Sequence, residues 1–184
     1  DKWRRRCGFM MIDLDRFKAV NDTLGHPVGD RLLAQVARRL QLIMSDNELC
    51  GRLGGDEFAV VIKDANDSKY VATLARRIIE SLSRPYEVDQ NTLYIGASIG
   101  SALGPIDGRT VELLMRSADL ALYRSKDQGG NTHHSYQHKL HANAEERRLM
   151  EFELRNALAR EQLQVEYQPV ANADGDNILV GSEA

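Results

Sequence analysis

Four acidic residues in two short stretches are the side chains best suited to chemistry. Asp56 and Glu57 follow a glycine pair, Gly54-Gly55, and open the apolar run Phe58-Ala59-Val60-Val61-Ile62. Asp13 and Asp15 close another apolar run, Phe9-Met10-Met11-Ile12. Carboxylates at the mouth of a buried strand need a partner, because burying an unpaired charge is costly. A divalent cation is the obvious one. Mg²⁺ takes hard oxygen ligands from one or two carboxylates and fills its other positions with water and substrate phosphates. Two unrelated acidic turns give the same pattern, since Asp and Gly are common turn residues.

These acids can meet only if the elements around them bring two strands together. Glycines take positive φ without Cβ strain, so Gly54-Gly55 predicts a tight hairpin turn between strands at 48–53 and 57–62, the second one buried. A strand is expected at 8–13. If it continues, Asp13 and Asp15 share a face, because side chains alternate along a strand. Residues 18–26 read as a polar crossing with Asn21-Asp22 and Gly25 as turn formers. Helical spacing of Leu32, Leu33, Val36, Ala37, Leu40 and Ile43 predicts a helix over 28–44, with Asp30 in its first turn. A second helix is expected at 68–83, ended by Arg84-Pro85. An edge strand at 86–88 and a long central strand at 93–102 follow. A third helix spans 111–127, closed by Gly129-Gly130-Asn131. This order predicts an α+β fold: a mixed, mainly antiparallel sheet flanked by helices, most of them on one side. Further on, 139–162 reads as one charged helix with Leu149, Phe152 and Leu158 on its apolar stripe, ahead of strands at 164–170 and 178–184.

Composition excludes some functions. A formal net charge of -3 leaves no overall basic footprint, which argues against binding a nucleic acid polymer. Trp3-Arg4-Arg5-Arg6 is read as a solvated face. Cys7 and Cys50 have no metal-ligand spacing and read as buried free thiols in a reducing compartment. No run has the length of a membrane-spanning helix and no signal peptide is visible. A cytoplasmic domain is expected, whose parent protein could still carry a membrane anchor. The histidines form no metal-ligand spacing. His133-His134 is expected to be solvated in a polar loop, and His26 to be structural.

Gly54-Gly55-Asp56-Glu57-Phe58 resembles the signature of the GGDEF family, the diguanylate cyclase domains of bacterial signalling. The run from Asp13 to His26 is similar to that family's first-strand block. Ala97-Ser98-Ile99-Gly100 and the run from Ala118 to Lys126 resemble its later blocks. The four blocks stand in the family's order and at its spacing. The resemblance implies a ferredoxin-like, palm-like fold shared with other nucleotidyl cyclases. It implies a reaction in which two GTP molecules condense to cyclic-di-GMP and pyrophosphate. The attack of the 3′-hydroxyl would be assisted by two metal ions, Mg²⁺ or Mn²⁺, and would take place across a homodimer.

By the same resemblance, Asp13, Asp56 and the Leu14 carbonyl are expected to hold metal. Glu57 is expected either to help deprotonate the 3′-hydroxyl or to support the metal shell, and Asp15 to be structural or to support the metal ligands from behind. Lys18 and Lys126 match triphosphate contacts, with Lys18 counted beside Asp56 and Glu57 in the catalytic set. Asn21 and Asp30 match the guanine-reading positions, and Gly54 and Gly55 would let backbone approach the nucleotide.

The sequence also departs from the family. A leader block is absent, so residues 1–136 read as a GGDEF domain whose N-terminal leader is missing. A family arginine four residues past Lys126 is Gly130 here, which predicts weaker GTP affinity. The arginine of a product-binding Arg-x-x-Asp site is replaced by Ser45, with Glu48 at the acid, so tight product inhibition is not expected. Residues 137–162 read as a linker helix and 163–184 as the truncated start of an EAL domain, the cyclic-di-GMP phosphodiesterase family. The parent protein would then carry a C-terminal EAL domain and an N-terminal sensor. The alternative function is a catalytically weak GTP-binding module that controls a downstream EAL phosphodiesterase.

Overall fold

The structure, a computed structural model, describes residues 6–65, 67–138, 168–171 and 179–183. The chain divides into two compact units, residues 1–141 and 142–184.

The first unit is built on a five-stranded sheet. Its strands are β1 (Cys7–Asp15), β2 (Glu48–Gly54), β3 (Glu57–Ile62), β6 (Gly96–Gly104) and β7 (His133–Ser135), in the order β2-β3-β1-β6-β7. All neighbours are antiparallel except β6 and β7, which run parallel. The helices are α1 (Phe17–Leu24), α2 (His26–Ile43), α3 (Ser68–Leu82) and α4 (Val111–Asp127).

Strand alternation sorts the core into two layers. Met10, Ile12, Leu14, Phe58, Val60, Ile62, Ala97 and Ile99 face one side and pack with α1, α2 and α3. Phe9, Met11, Ala59 and Ala102 face the other and meet Leu114, Ala118 and Leu122 of α4. The α4 backbone lies almost on β6. A Cβ at Gly100 would stand 2.1 Å from the Ala118 carbonyl oxygen and 2.1 Å from the Leu122 nitrogen.

The α+β sandwich agrees with expectation, and several elements correct it. Residues 17–24 form a helix rather than a polar crossing. Phe17, Val20 and Leu24 fall at helical spacing and pack on the core, and that apolar stripe overrides the turn formers between them. The expected edge strand at 86–88 pairs instead with Asn91–Leu93 in a separate two-stranded hairpin (β4, β5), turned at Asp89 with φ 54. The central strand therefore begins at Gly96, not at 93. On the strand expected to be buried, Val61 is 39% exposed and its register partner Leu49 on β2 is 58% exposed, because α4 packs mainly on β1 and β6. Cys7 and Cys50 are free thiols as expected, but half-buried rather than buried.

The second unit contains an antiparallel hairpin of β8 (Gln168–Ala171) and β9 (Leu179–Glu183), with Gln168 opposite Glu183. The helix expected at 139–162 lies outside the described residues.

Candidate functional site

The end of β1 and the start of β3 bring the acids together. Asp13 and Glu57 are register partners across the two strands, so their side chains leave the same face. Like charges placed directly opposite repel and destabilise the pair unless something offsets them. The Leu14 amide donates to the Asp56 carbonyl at 3.3 Å, which ties the turn to β1. Of the two glycines in the turn, Gly55 alone takes a positive φ, 51°. Arg52 holds the turn by donating Nε to the Gly55 carbonyl at 2.9 Å. Nothing lies within 4 Å of where a Cβ would stand on Gly54 or Gly55, so the turn has open space over it.

Asp13 is the buried member of the set, its side chain 12% exposed. Lys126, in the last turn of α4, places Nζ 2.6 Å from Asp13 Oδ2. Burial raises the Asp13 pKa above the usual carboxylate value. The lysine works against this, and the charges of Asp56 and Asp15 add to it. One ammonium therefore does not fully compensate this carboxylate.

Asp15 points to the same face as Asp13, as alternation requires, but its role is structural. Ser98 Oγ donates to its Oδ1 and the Asn131 amide to its Oδ2, each at 2.7 Å. Gly96 and Gly130 make room for it: a Cβ on either would stand 2.8 and 3.1 Å from the carboxylate. Gly129, Gly130 and Asn131 all have positive φ (101°, 76° and 50°), the closing turn foreseen after α4. An arginine at position 130 would need that turn rebuilt. The turn of α4 that carries Lys126 is tied to the sheet by Ser125, whose hydroxyl donates to the Ile99 carbonyl at 2.7 Å.

The remaining expected residues lie on α1 and α2, which start just beyond β1. Lys18 is exposed near the start of α1. Asn21 has a buried Oδ1 with no hydrogen-bond partner in the chain. A Cβ on Gly29 would lie 1.9 Å from that oxygen, so Gly29 permits the close approach of α1 and α2. Asp30, next to Gly29, is exposed. It falls in the second turn of α2, not the first, because the helix begins at His26. The structure thus forms two groups: Asp13, Leu14, Asp56 and Glu57 at the end of β1 and the β2–β3 turn, joined by Lys126 from α4, and Lys18, Asn21 and Asp30 on α1 and α2.

Sequence reasoning missed two polar clusters. At the other end of β2, Glu48 is buried and accepts from the Ser45 amide at 2.8 Å, the Ser45 hydroxyl at 2.7 Å and the Tyr70 hydroxyl. Burial alone would raise its pKa, but these bonds outweigh it and hold the carboxyl below its ordinary value. His133 and His134, expected in a solvated loop, lie half-buried on β7, an edge strand of the sheet. His133 Nε2 lies 2.8 Å from Ser101 Oγ, and burial followed by the neighbouring His134 pushes its pKa down to about 4. His134 Nδ1 lies 3.2 Å from Ser125 Oγ. The Ser45-to-Glu48 bonds span three residues, so Ser-x-x-Glu is the local signal that could have marked that cluster, whereas Tyr70 and the histidine pairings come from distant segments.

The donor chemistry fits a hard divalent cation. Asp13 and Asp56 supply carboxylates, the Leu14 carbonyl is a further oxygen, and an ammonium already sits where positive charge is needed. Among the described residues no three of His, Cys, Asp and Glu converge on one point. Among them, too, no helix is long and apolar enough to cross a membrane.

Comparison with known proteins places these features in a family. The model described as "Diguanylate cyclase, GGDEF domain" matches residues 2–132. The bifunctional diguanylate cyclase/cyclic di-GMP phosphodiesterase MucR of Pseudomonas aeruginosa is 42% identical over 180 residues, 98% of this chain and 26% of MucR. The cyclic di-GMP phosphodiesterase NbdA of the same organism is 39% identical over 168 residues, 91% of this chain and 21% of NbdA. The chain thus spans about a quarter of the length of these relatives. Among solved structures, the GGDEF domain of YfiN (TpbB) from P. aeruginosa aligns with TM-score 0.71 and 34% identity, covering 74% of this chain and 85% of that one.

Proposed function

The chain belongs to the GGDEF family of diguanylate cyclase domains, and from that membership we propose that it condenses two GTP molecules into cyclic-di-GMP and pyrophosphate. The observation that carries this reading is the placing of Asp13 opposite Glu57, with Asp56 alongside and the Lys126 ammonium against Asp13. Asp13, Asp56 and the Leu14 carbonyl would hold a divalent ion, which would supply charge neutralisation at the attacked phosphate. Lys18 and Lys126 bind the triphosphate oxygens as point charges. Asn21 and Asp30 accept from the N–H donors on the Watson–Crick edge of guanine, which adenine does not present in the same pattern. Glu57 takes the proton of the 3′-hydroxyl or supports the carboxylates beside it. The open turn at Gly54-Gly55 lets the nucleotide approach backbone without meeting a side chain. Each domain holds one GTP, so catalysis needs two domains face to face.

Incubating the chain with GTP and Mg²⁺, at concentrations that force self-association, should give cyclic-di-GMP on chromatography, and Asp56→Ala should abolish it. GTP binding without turnover would favour the second reading, a GTP-binding regulator of a downstream phosphodiesterase. One observation supports that second reading: Gly130 offers no side chain to phosphate, and the space a side chain would enter there is bounded by the Asp15 carboxylate. Weak GTP affinity follows from either reading, and direct titration measures it.

The Glu48 cluster bears on regulation. Its carboxylate is already filled by Ser45 and Tyr70, which supports the absence of tight product binding at the Ser45-to-Glu48 turn. Submicromolar calorimetric binding of cyclic-di-GMP, lost on changing Asp46 or Glu48, would refute it. Residues 137–162 and 163–184 are proposed as a linker helix and the start of an EAL domain. The MucR alignment supports this, since it runs over 98% of the chain and so past the GGDEF region.

A further inference from the structure

Lys126 and Asp13 form a contact with two unequal halves. The carboxylate is nearly enclosed, while the lysine side chain is 45% exposed, with its ammonium 2.6 Å from Asp13 Oδ2. The helix turn beneath the lysine does not move freely. Ser125 fixes it to β6, and Asp15 fixes the backbone that follows through the Asn131 amide. What remains mobile is the four-carbon stem, which can swing its charge without disturbing the fold. The ammonium sits on Asp13 Oδ2, one of the two oxygens that would hold a metal ion. A second cation on the same carboxylate is opposed by the first, because like charges close together repel strongly in a partly desolvated site.

We propose that Lys126 is a resident counter-cation for Asp13, which yields its place to a divalent ion only when a triphosphate arrives to receive the ammonium. The proposal rests on the nucleotide-and-cation reading above and adds an order of events to it. Without nucleotide, the ion must compete with a tethered positive charge and binds weakly. With nucleotide, the lysine gains phosphate oxygens as partners, Asp13 is released, and the ion enters a site of unopposed carboxylates. Metal and nucleotide therefore bind with positive coupling, and the coupling acts equally in both directions. The device also keeps the buried carboxylate paired while the site is empty, avoiding the cost of an isolated charge.

The test is Mn²⁺ binding to the nucleotide-free chain, followed by the electron paramagnetic resonance signal of the free ion. Lys126→Met removes the competitor and should bind Mn²⁺ about tenfold more tightly than the wild-type chain. Lys126→Arg keeps a cation on Asp13 and should bind it no more tightly than wild type. In parallel, the affinity for a non-hydrolysable GTP analogue with Mg²⁺ should fall in Lys126→Met, because the phosphate partner is gone. Circular dichroism checks that both variants fold, as expected for a half-exposed position. Equal Mn²⁺ affinity in wild type and Lys126→Met, with the analogue still bound by the wild type, overturns the exchange alone. Failure of every form to bind either Mn²⁺ or the analogue overturns both the exchange and the nucleotide site beneath it.

Discussion

Among the described residues two carboxylates are buried, Glu48 at the start of β2 and Asp13 near the end of β1, and the protein treats them in opposite ways. Glu48 receives an amide, a serine hydroxyl and a tyrosine hydroxyl, and its acidity is strengthened. Asp13 receives one ammonium from a half-exposed lysine, faces Glu57 in register, and its acidity is weakened. A buried carboxylate saturated by its own chain stabilises the fold and offers nothing to a ligand. One left undersupplied costs stability, and its remaining lone pairs are available to an incoming cation. The contrast separates a joint from a site without reference to any relative.

The sharpest way to break the comparison is to neutralise each acid. Asp13→Asn should lower cyclic-di-GMP formation on the order of a thousandfold. It should leave the thermal midpoint unchanged or higher, because a poorly compensated charge is removed. Glu48→Gln should do the reverse. It should lose about 2 kcal/mol in urea unfolding while the affinity for a GTP analogue stays the same. If Glu48→Gln costs activity and Asp13→Asn costs stability, the assignment of roles is inverted.

Smaller effects sharpen the picture. Tyr70→Phe removes one of the donors to Glu48 and should cost about 1 kcal/mol, since both Ser45 donors remain. The weakest effect concerns acid stability. His133 titrates at about 4 in the fold against 6.5 in the unfolded chain. Between those values the unfolded chain holds more protons, so this residue lowers stability as pH falls from 6.5 toward about 4. Glu48, whose pKa is lowered, acts in the same direction further down: its stabilisation is present above 4.5 and is lost as pH falls through its folded value. His133→Gln should flatten the limb above pH 5 in urea titrations and leave the Glu48 limb in place.

Much of this was legible in the residues. The helix at 111–127 was predicted to the residue, and the strand at 57–62 likewise, because their apolar spacing is uninterrupted and their ends carry turn signals. The shared face of Asp13 and Asp15 followed from alternation. The helix at Phe17–Leu24 was hidden by Asn21, Asp22 and Gly25, whose turn preferences are local, whereas its stripe of Phe17, Val20 and Leu24 acts only once α2 is there to pack against. The division of labour between Asp13 and Asp15 was not legible from spacing. It depends on Ser98 and Asn131, which are more than eighty residues away in the chain. The burial of His133 was missed for the same reason, since a three-residue parallel strand gains its identity from β6 rather than from its own sequence.

Gly100 lies on the α4 face of β6, two residues along from Ser98, and carries no proposed chemistry itself, yet it governs how the lysine is presented. Its missing side chain is the gap through which helix and sheet nearly touch, and the hydroxyl of Ser125 bridges the same seam from Ile99. A methyl group there would act as a wedge under α4 and lift the far end of a lever whose tip is the Lys126 charge. The calibration of an electrostatic contact thus resides in an atom the residue lacks, and ordinary polymorphism at position 100 could detune the domain while every functional side chain is retained.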